Sequence, residues 1–279
     1  MTSSAFDTKN VRPSRPSFRP TDIKGTISGM PPSLTFNACE PISLMAILAF
    51  FSLSSFSQEL KELWASGSAV PNGVQKLTCT PDRQFRLIGG LRSGEVRIQT
   101  TEKVNAQTKF LVPTEADALL ITDGMSWKES DDAQAAGWQV LFDDPHYRVS
   151  IDTKSKILRG EIVKPWGELF IGGGATLYGW DPLKMQPFKQ DGKNPYLWVW
   201  TGELRPNEKS EEPLCFKLEG QLAWGPKQLH PLVDGEDVLQ SSHFRFGGAD
   251  TKWKLTKAGR YRLTVDLLYE TIKAQYLGN

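Results

Sequence analysis

The residues best able to move a proton near neutral pH are the three histidines, and they stand in unrelated settings. These are Asp144-Pro145-His146-Tyr147, Leu229-His230-Pro231 and Ser242-His243-Phe244. No Gly-x-Ser-x-Gly elbow, His-Glu-x-x-His pair or phosphate-cradling glycine loop accompanies them. Gly172-Gly173-Gly174 follows a strand-like run, but no helix pattern follows it, which argues against a nucleotide loop. The acidic pairs Asp131-Asp132 and Asp143-Asp144 fall in loop sequence, whereas glycoside hydrolysis needs two carboxyls facing each other across a cleft. Cys39, Cys79 and Cys215 are too far apart for a Cys-x-x-Cys zinc site or a disulfide-dense scaffold. The sequence therefore assigns no catalytic residue, no metal ligand and no cofactor, and it reads as a non-enzyme. With 33 Lys and Arg against 32 Asp and Glu, the net charge of +1 also argues against nucleic acid as a partner. What stands out is nine Trp and six Tyr, large amphipathic side chains suited to cores and to adhesive surfaces.

The elements that would position these aromatics begin after a leader. Residues 1–29 are rich in Ser, Pro, Arg and Lys, a composition that remains disordered. Residues 42–56 form a mostly apolar run of roughly 15 residues, shorter than the ~20 that span a bilayer. Ser55 and Ser57 supply the small residues of a signal-peptidase site, which predicts a secretory signal cut after Ser57 and an exported protein. No Lys or Arg lies between Lys24 and Ile42, so initiation at Met30 is an alternative start, and a core helix is the alternative reading of the run. Cys39 precedes the apolar run, so the sequence does not support a lipid anchor.

From residue 58 onward the chain reads as all-β. Alternating or β-branched runs at 84–88, 95–101, 147–151, 197–201, 214–218 and 261–267 are separated by Gly, Pro, Asn and Asp. Cys79 and Cys215 are expected to pack as small apolar residues in such strands. The chain also repeats itself at an offset of roughly 106 to 120 residues. Leu63-Trp64-Ala65-Ser66-Gly67 matches Leu169-Phe170-Ile171-Gly172-Gly173, and Val96-Arg97-Ile98 matches Phe216-Lys217-Leu218. Phe85-Arg86-Leu87-Ile88-Gly89 matches Trp198-Val199-Trp200-Thr201-Gly202, and Trp138 matches Trp253. The clearest pair is Tyr147-Arg148-Val149-Ser150-Ile151-Asp152 with Tyr261-Arg262-Leu263-Thr264-Val265-Asp266. This predicts two tandem immunoglobulin-like β-sandwich domains, 58–165 and 166–279, after a leader at 1–57. Pro165 ends the first, since it cannot donate to a ladder, and the short connection should hold the two close.

One ordered set of motifs carries a family resemblance. Leu169-Phe170-Ile171-Gly172-Gly173-Gly174-Ala175-Thr176 comes first, then Gly179-Trp180-Asp181 and Trp200-Thr201-Gly202-Glu203-Leu204. Phe216-Lys217-Leu218, Lys252-Trp253-Lys254 and Gly259-Arg260-Tyr261 follow. The order resembles the tandem carbohydrate-binding domains of SusE/SusF-type outer-membrane starch-binding proteins, over nearly all of the second copy and more weakly the first. The resemblance implies non-catalytic binding of starch-like α-glucans at the cell surface, within an outer-membrane glycan-uptake transporter complex. The missing lipobox and the small number of domains depart from that family.

Sugars present an apolar C–H face edged by hydroxyls, so a site needs an aromatic platform with fixed donors and acceptors. The positions that the resemblance points to are Trp180, Lys217 and Trp224. Trp180 follows Tyr178-Gly179 in a turn, Trp224 lies in Ala223-Trp224-Gly225-Pro226, and Lys217 points away from the core by strand alternation. The bland alternative is that both Trp plug open ends of the sandwich and that Lys217 is an ordinary solvated residue. Trp198, Trp200, Trp138 and Trp253 read as core. The first copy has Val74 and Arg97 at the matching places, which makes it a spacer or degenerate site, with Trp127 a weak outside candidate. A β-sandwich adhesion or assembly module that binds protein rather than sugar is the rival function.

Overall fold

A computed structural model describes residues 60–279. The leader, its cleavage after Ser57 and Cys39 lie outside the described residues. The described chain is all-β and its strands pair antiparallel, with one short 3-10 turn at Pro182–Lys184. No helix among the described residues is long and apolar enough to cross a membrane.

The two copies build related layers differently. In the first, one hydrogen-bonded path runs through Val74–Lys76, Trp64–Ser66, Gly94–Gln99, Phe110–Pro113, Thr122–Ser130, Ile157–Ile162, Asp144–Asp152, Gln84–Leu91 and Thr78–Cys79. The long strand Thr122–Ser130 joins the layers, pairing Phe110–Pro113 through residues 127–130 and Ile157–Ile162 through residues 122–126. In the second copy the layers are separate sheets. One holds Gln186–Pro187, Phe170–Gly172, Cys215–Glu219, Gln228–Pro231 and Phe244–Phe246, and the other holds Lys189–Gln190, Leu197–Leu204, Gly259–Asp266 and Thr271–Gly278.

The repeat read from sequence reappears as strand register. Ser66 lies opposite Arg97 and Trp64 opposite Gln99, as Gly172 lies opposite Lys217 and Phe170 opposite Glu219. Gly89 pairs with Tyr147 and Phe85 with Ile151, as Gly202 pairs with Tyr261 and Trp198 with Val265. Trp138 faces Val96, as Trp253 faces Phe216. The repeated tyrosines also behave alike: the Tyr147 hydroxyl donates to the Phe142 carbonyl and that of Tyr261 to the Lys257 carbonyl.

Period-two alternation explains what is buried. In Gly259–Asp266 the residues Tyr261, Leu263 and Val265 are buried while Arg260 and Arg262 are exposed. Two hydrophobic cores result, one around Trp138, Tyr147 and Ile151, the other around Trp253, Tyr261, Trp198 and Trp200. Two sequence expectations need correction. Trp127 is buried in the first core, so it offers no outward platform. Cys79 is exposed rather than packed, because its two-residue strand sits at the edge of the first sheet.

No strand runs through residues 163–169. Across that stretch the halves touch directly. The Tyr196 hydroxyl donates to the Val163 carbonyl at 2.9 Å, and the His146 ring lies 4.8 Å from that of Tyr196.

Candidate functional site

Each candidate side chain is placed by a local feature of the second copy. Gly173 and Gly179 form an isolated bridge, and the Thr176 hydroxyl donates to the Gly173 carbonyl at 2.8 Å, closing the turn that ends in Trp180. Gly173 has φ 136°, and a Cβ there would lie 2.5 Å from the Phe216 Cα, so only glycine fits. Asp181 then caps the Pro182–Lys184 turn by accepting from the Leu183 N–H at 3.1 Å, which fixes the far side of Trp180. Trp224 rides the connection between Cys215–Glu219 and Gln228–Pro231, where Gly225 takes φ 57°.

The fold brings Trp180, Lys217 and Trp224 together. Trp224 is 39% exposed and Trp180 is partly buried, its indole nitrogen enclosed without a hydrogen-bond partner among the described residues; the ring centroids lie 5.8 Å apart and the planes 53° apart. The Lys217 ammonium lies 5.1 Å from the Trp224 ring centroid. Lys217 does face away from the core, but it is not a solvated strand residue. Its side chain is only 8% exposed, roofed by Trp224 and held by Asp250 at 2.6 Å. Gly172, directly across the strand pair, leaves the room: a Cβ there would fall 2.5 Å from the Met185 Cγ and 3.6 Å from the Trp224 ring.

Sequence reasoning missed the charged bed beneath the rings. Asp250 joins Lys217 to Lys252, which lies 3.4 Å away, 3.4 Å from Glu212 and 5.9 Å from the Trp180 ring centroid. Burial pushes the Asp250 carboxyl up, but the hydrogen bond and charge of Lys217, with the charge of Lys252, outweigh it and hold the group below its ordinary range. Alternation about Trp253, read as core, is a signal that could have put Lys252 on the outer side; nothing in sequence places Asp250. Behind Trp180 a hollow of about 440 Å³ is bordered by Tyr178, Asn207, Ser210 and Glu211, which adds polar groups to the same platform.

Deeper in the sheet, Glu219 and His230 are fully buried. Glu219 accepts from the Gln228 amide at 2.8 Å through Oε1 and lies 4.0 Å from Lys217; its Oε2 has no hydrogen-bond partner among the described residues. Burial pushes its carboxyl up to about 7, against the Gln228 hydrogen bond and the Lys217 charge. His230 contacts the Thr251 carbonyl through Nδ1 at 2.8 Å. Burial, with Lys217 and Arg245 nearby, holds its imidazole below the usual range.

The other residues considered for chemistry have local roles. His243 bonds Ser242, Asp143 accepts from the Ser93 N–H, Asp144 from the His146 N–H and Asp132 from the Gln134 N–H, and Asp131 pairs with Lys109. Among the described residues no group of three or more His, Cys, Asp or Glu could hold a metal ion. The arrangement can do one thing well: present two angled aromatic faces whose nearby charges already neutralise one another.

No protein-family model matches the chain, and no curated protein matches it. Among solved structures it is similar to the crystal structure of SusF from Bacteroides thetaiotaomicron, at 12% identity and a TM-score of 0.35. The match covers 77% of this chain and 48% of that one, so this chain spans about half the length of that structure.

Proposed function

We propose that this protein is a non-catalytic carbohydrate-binding protein that holds a neutral oligosaccharide or polysaccharide, an α-glucan of starch type, on Trp180, Lys217 and Trp224. The observation that carries the reading is the 53° pair of indoles, Trp224 exposed and Trp180 partly so, over an internally neutralised bed. Two rings at that angle suit a curved chain of sugars, each ring stacking on one C–H face. Asn207 and the edge of the ion-paired bed lie within reach of hydroxyls. The choice of an α-glucan follows the order of motifs from residue 169 to residue 261. In this reading residues 166–279 are the binding domain and residues 58–165 a spacer or degenerate copy. The leader exports the chain to the outer membrane or cell surface, where it serves glycan uptake beside a transporter.

Calorimetry with maltooligosaccharides tests the site. Trp180→Ala and Trp224→Ala should each weaken binding about tenfold, equal to ~1.4 kcal/mol, and leave melting unchanged. Wild-type affinity in both variants would move the site elsewhere, sugar products would make the protein an enzyme, and no saturable glycan binding would favour the assembly module. N-terminal sequencing of native material should begin at or near Gln58; residues preceding the apolar run would contradict export by cleavage.

A further inference from the structure

A second cavity, of about 1130 Å³, opens between the two halves, away from Trp180 and Trp224. It is lined by six basic side chains against four acidic ones. Its floor is built from both copies. Arg86 and Arg148, from the strands Gln84–Leu91 and Asp144–Asp152, both pair with Glu270, which sits in the turn before Thr271–Gly278. Arg148 also donates to the Leu267 carbonyl at 3.0 Å and pairs with the half-exposed Glu161 at 2.7 Å. Asp82 stands 3.9 Å from Arg86. An arginine carries five N–H donors. The Arg86 Nε and Nη1 are buried, and although Nη1 is ion-paired with Glu270, no described residue accepts a hydrogen bond from either nitrogen.

The rim is cationic as well. Lys164 and Lys227 are exposed and have no carboxylate partner among the described residues, and the exposed Arg159 donates from Nε to the Asp123 carbonyl at 3.0 Å and feels the charge of Asp152. One wall is aromatic: Trp166 packs edge-on to Phe246 at 5.5 Å, and the Arg148 guanidinium lies 4.7 Å from the Phe246 centroid. The arginines of the floor are answered by carboxylates, so the unanswered charges are the two lysines at the mouth, and like-signed charges at the rim of a concave cleft focus their field on what enters it. The Trp180 bed lacks that property, since there Asp250 and Glu212 answer both lysines. The cavity, at about 1130 Å³, is far larger than an inorganic oxyanion needs and lies just above the ~300–1,000 Å³ of small-molecule pockets, which leaves room for an oligosaccharide. An indole in its wall offers a stacking face for a sugar ring.

We propose that this cleft is a second carbohydrate site, selective for an oligosaccharide bearing carboxylate or sulfate groups. The anionic groups are met at the rim by Lys164, Lys227 and Arg159, and a ring stacks on Trp166. The site is independent of the Trp180 platform.

Calorimetry on the full chain tests this with three probes: hexagalacturonate, a heparin-derived hexasaccharide and neutral maltohexaose. One anionic hexasaccharide should bind saturably, with affinity falling several-fold between low and physiological salt. Which of the two binds tells carboxylate from sulfate. Lys164→Gln with Lys227→Gln, both on the exposed rim, should weaken that binding about tenfold or more without changing melting. Trp180→Ala should leave it unchanged, so loss of the neutral-glycan site and loss of this one are separable results. No saturable binding of either anionic probe overturns the proposal. So does affinity unmoved by the paired lysine substitution, and so does competition by inorganic sulfate at the same concentration as the hexasaccharide.

Discussion

Ser66, Arg97 and Gln99 occupy in the first copy the places of Gly172, Lys217 and Glu219 in the second, at the same strand register. In the first copy these polar groups satisfy one another. The Ser66 hydroxyl donates to Gln99 at 2.7 Å, the Gln99 amide donates to the Thr101 and Glu102 carbonyls, and Arg97 binds Glu95 and the Ala133 carbonyl. In the second copy Gly172 brings no hydroxyl, Glu219 keeps one oxygen unpaired, and Lys217 lies under an indole. Val74, opposite Ser66, is exposed, whereas the turn beyond Gly172 delivers Trp180. One frame thus carries two surfaces. In the second copy the lysine takes its partner, Asp250, from a distant loop, and a small residue opposite it leaves space for a ring.

The largest effects test the shared frame itself. Trp138 and Trp253 are both fully buried, and Trp253 stacks on Phe216 with centroids 5.8 Å apart, where Trp138 meets the smaller Val96. Trp138→Ala and Trp253→Ala should each cost about 3–5 kcal/mol, with Trp253→Ala the costlier. Denaturant melts followed by circular dichroism measure this. A near-neutral Trp138→Ala would break the equivalence of the two cores.

Next comes Gly172→Ser, which writes the first copy's residue into the second. The added Cβ collides with Met185 and crowds Trp224. It should cost about 1–3 kcal/mol of stability and weaken maltooligosaccharide binding more than tenfold. The reverse change, Ser66→Gly, removes the donor to the Gln99 Oε1 and should cost about 1 kcal/mol while creating no glycan binding in the first copy. Unchanged affinity in Gly172→Ser would mean that the space opposite Lys217 does not position Trp224.

Much of the frame was legible in the sequence because it rests on local alternation. Tyr261, Leu263 and Val265 face inward as the pattern requires, and the repeated Tyr-Arg motif places both copies in register. The two arginines of that motif show where the pattern stops. Arg262 is exposed, while its counterpart Arg148 is buried by Leu267, Phe246 and Glu270 of the other copy. Alternation says which side of a strand a residue takes, and the burial of that side depends on what tertiary packing lays over it. Lys217 met the same limit: its direction followed from its strand, but the roof of Trp224 and the Asp250 partner came from loops 7 and 33 residues away. Trp127 failed for the related reason that its strand spans both layers of the first half, so no single face pattern describes it.

The smallest effect, and the finest comparison, is Glu219→Gln, which gives the second copy the neutral side chain that Gln99 supplies in the first. Burial pushes the Glu219 carboxyl up to about 7, so the folded state holds its proton more tightly than the unfolded chain does. The stability this contributes is fully present below the unfolded value of ~4.5 and is lost as pH rises through about 7. His230 acts in the opposite sense, since its lowered pKa contributes stability above its unfolded value of ~6.5 that is lost as pH falls. The two partly cancel in a wild-type pH profile, but His230 is present in both proteins and drops out of their difference. Relative to wild type, Glu219→Gln should therefore gain on the order of 1 kcal/mol between pH 5 and pH 8, discounted because Lys217 loses a nearby charge. Urea melts of both proteins across that range measure the gap, and a difference that stays flat with pH would place the proton elsewhere than on Glu219.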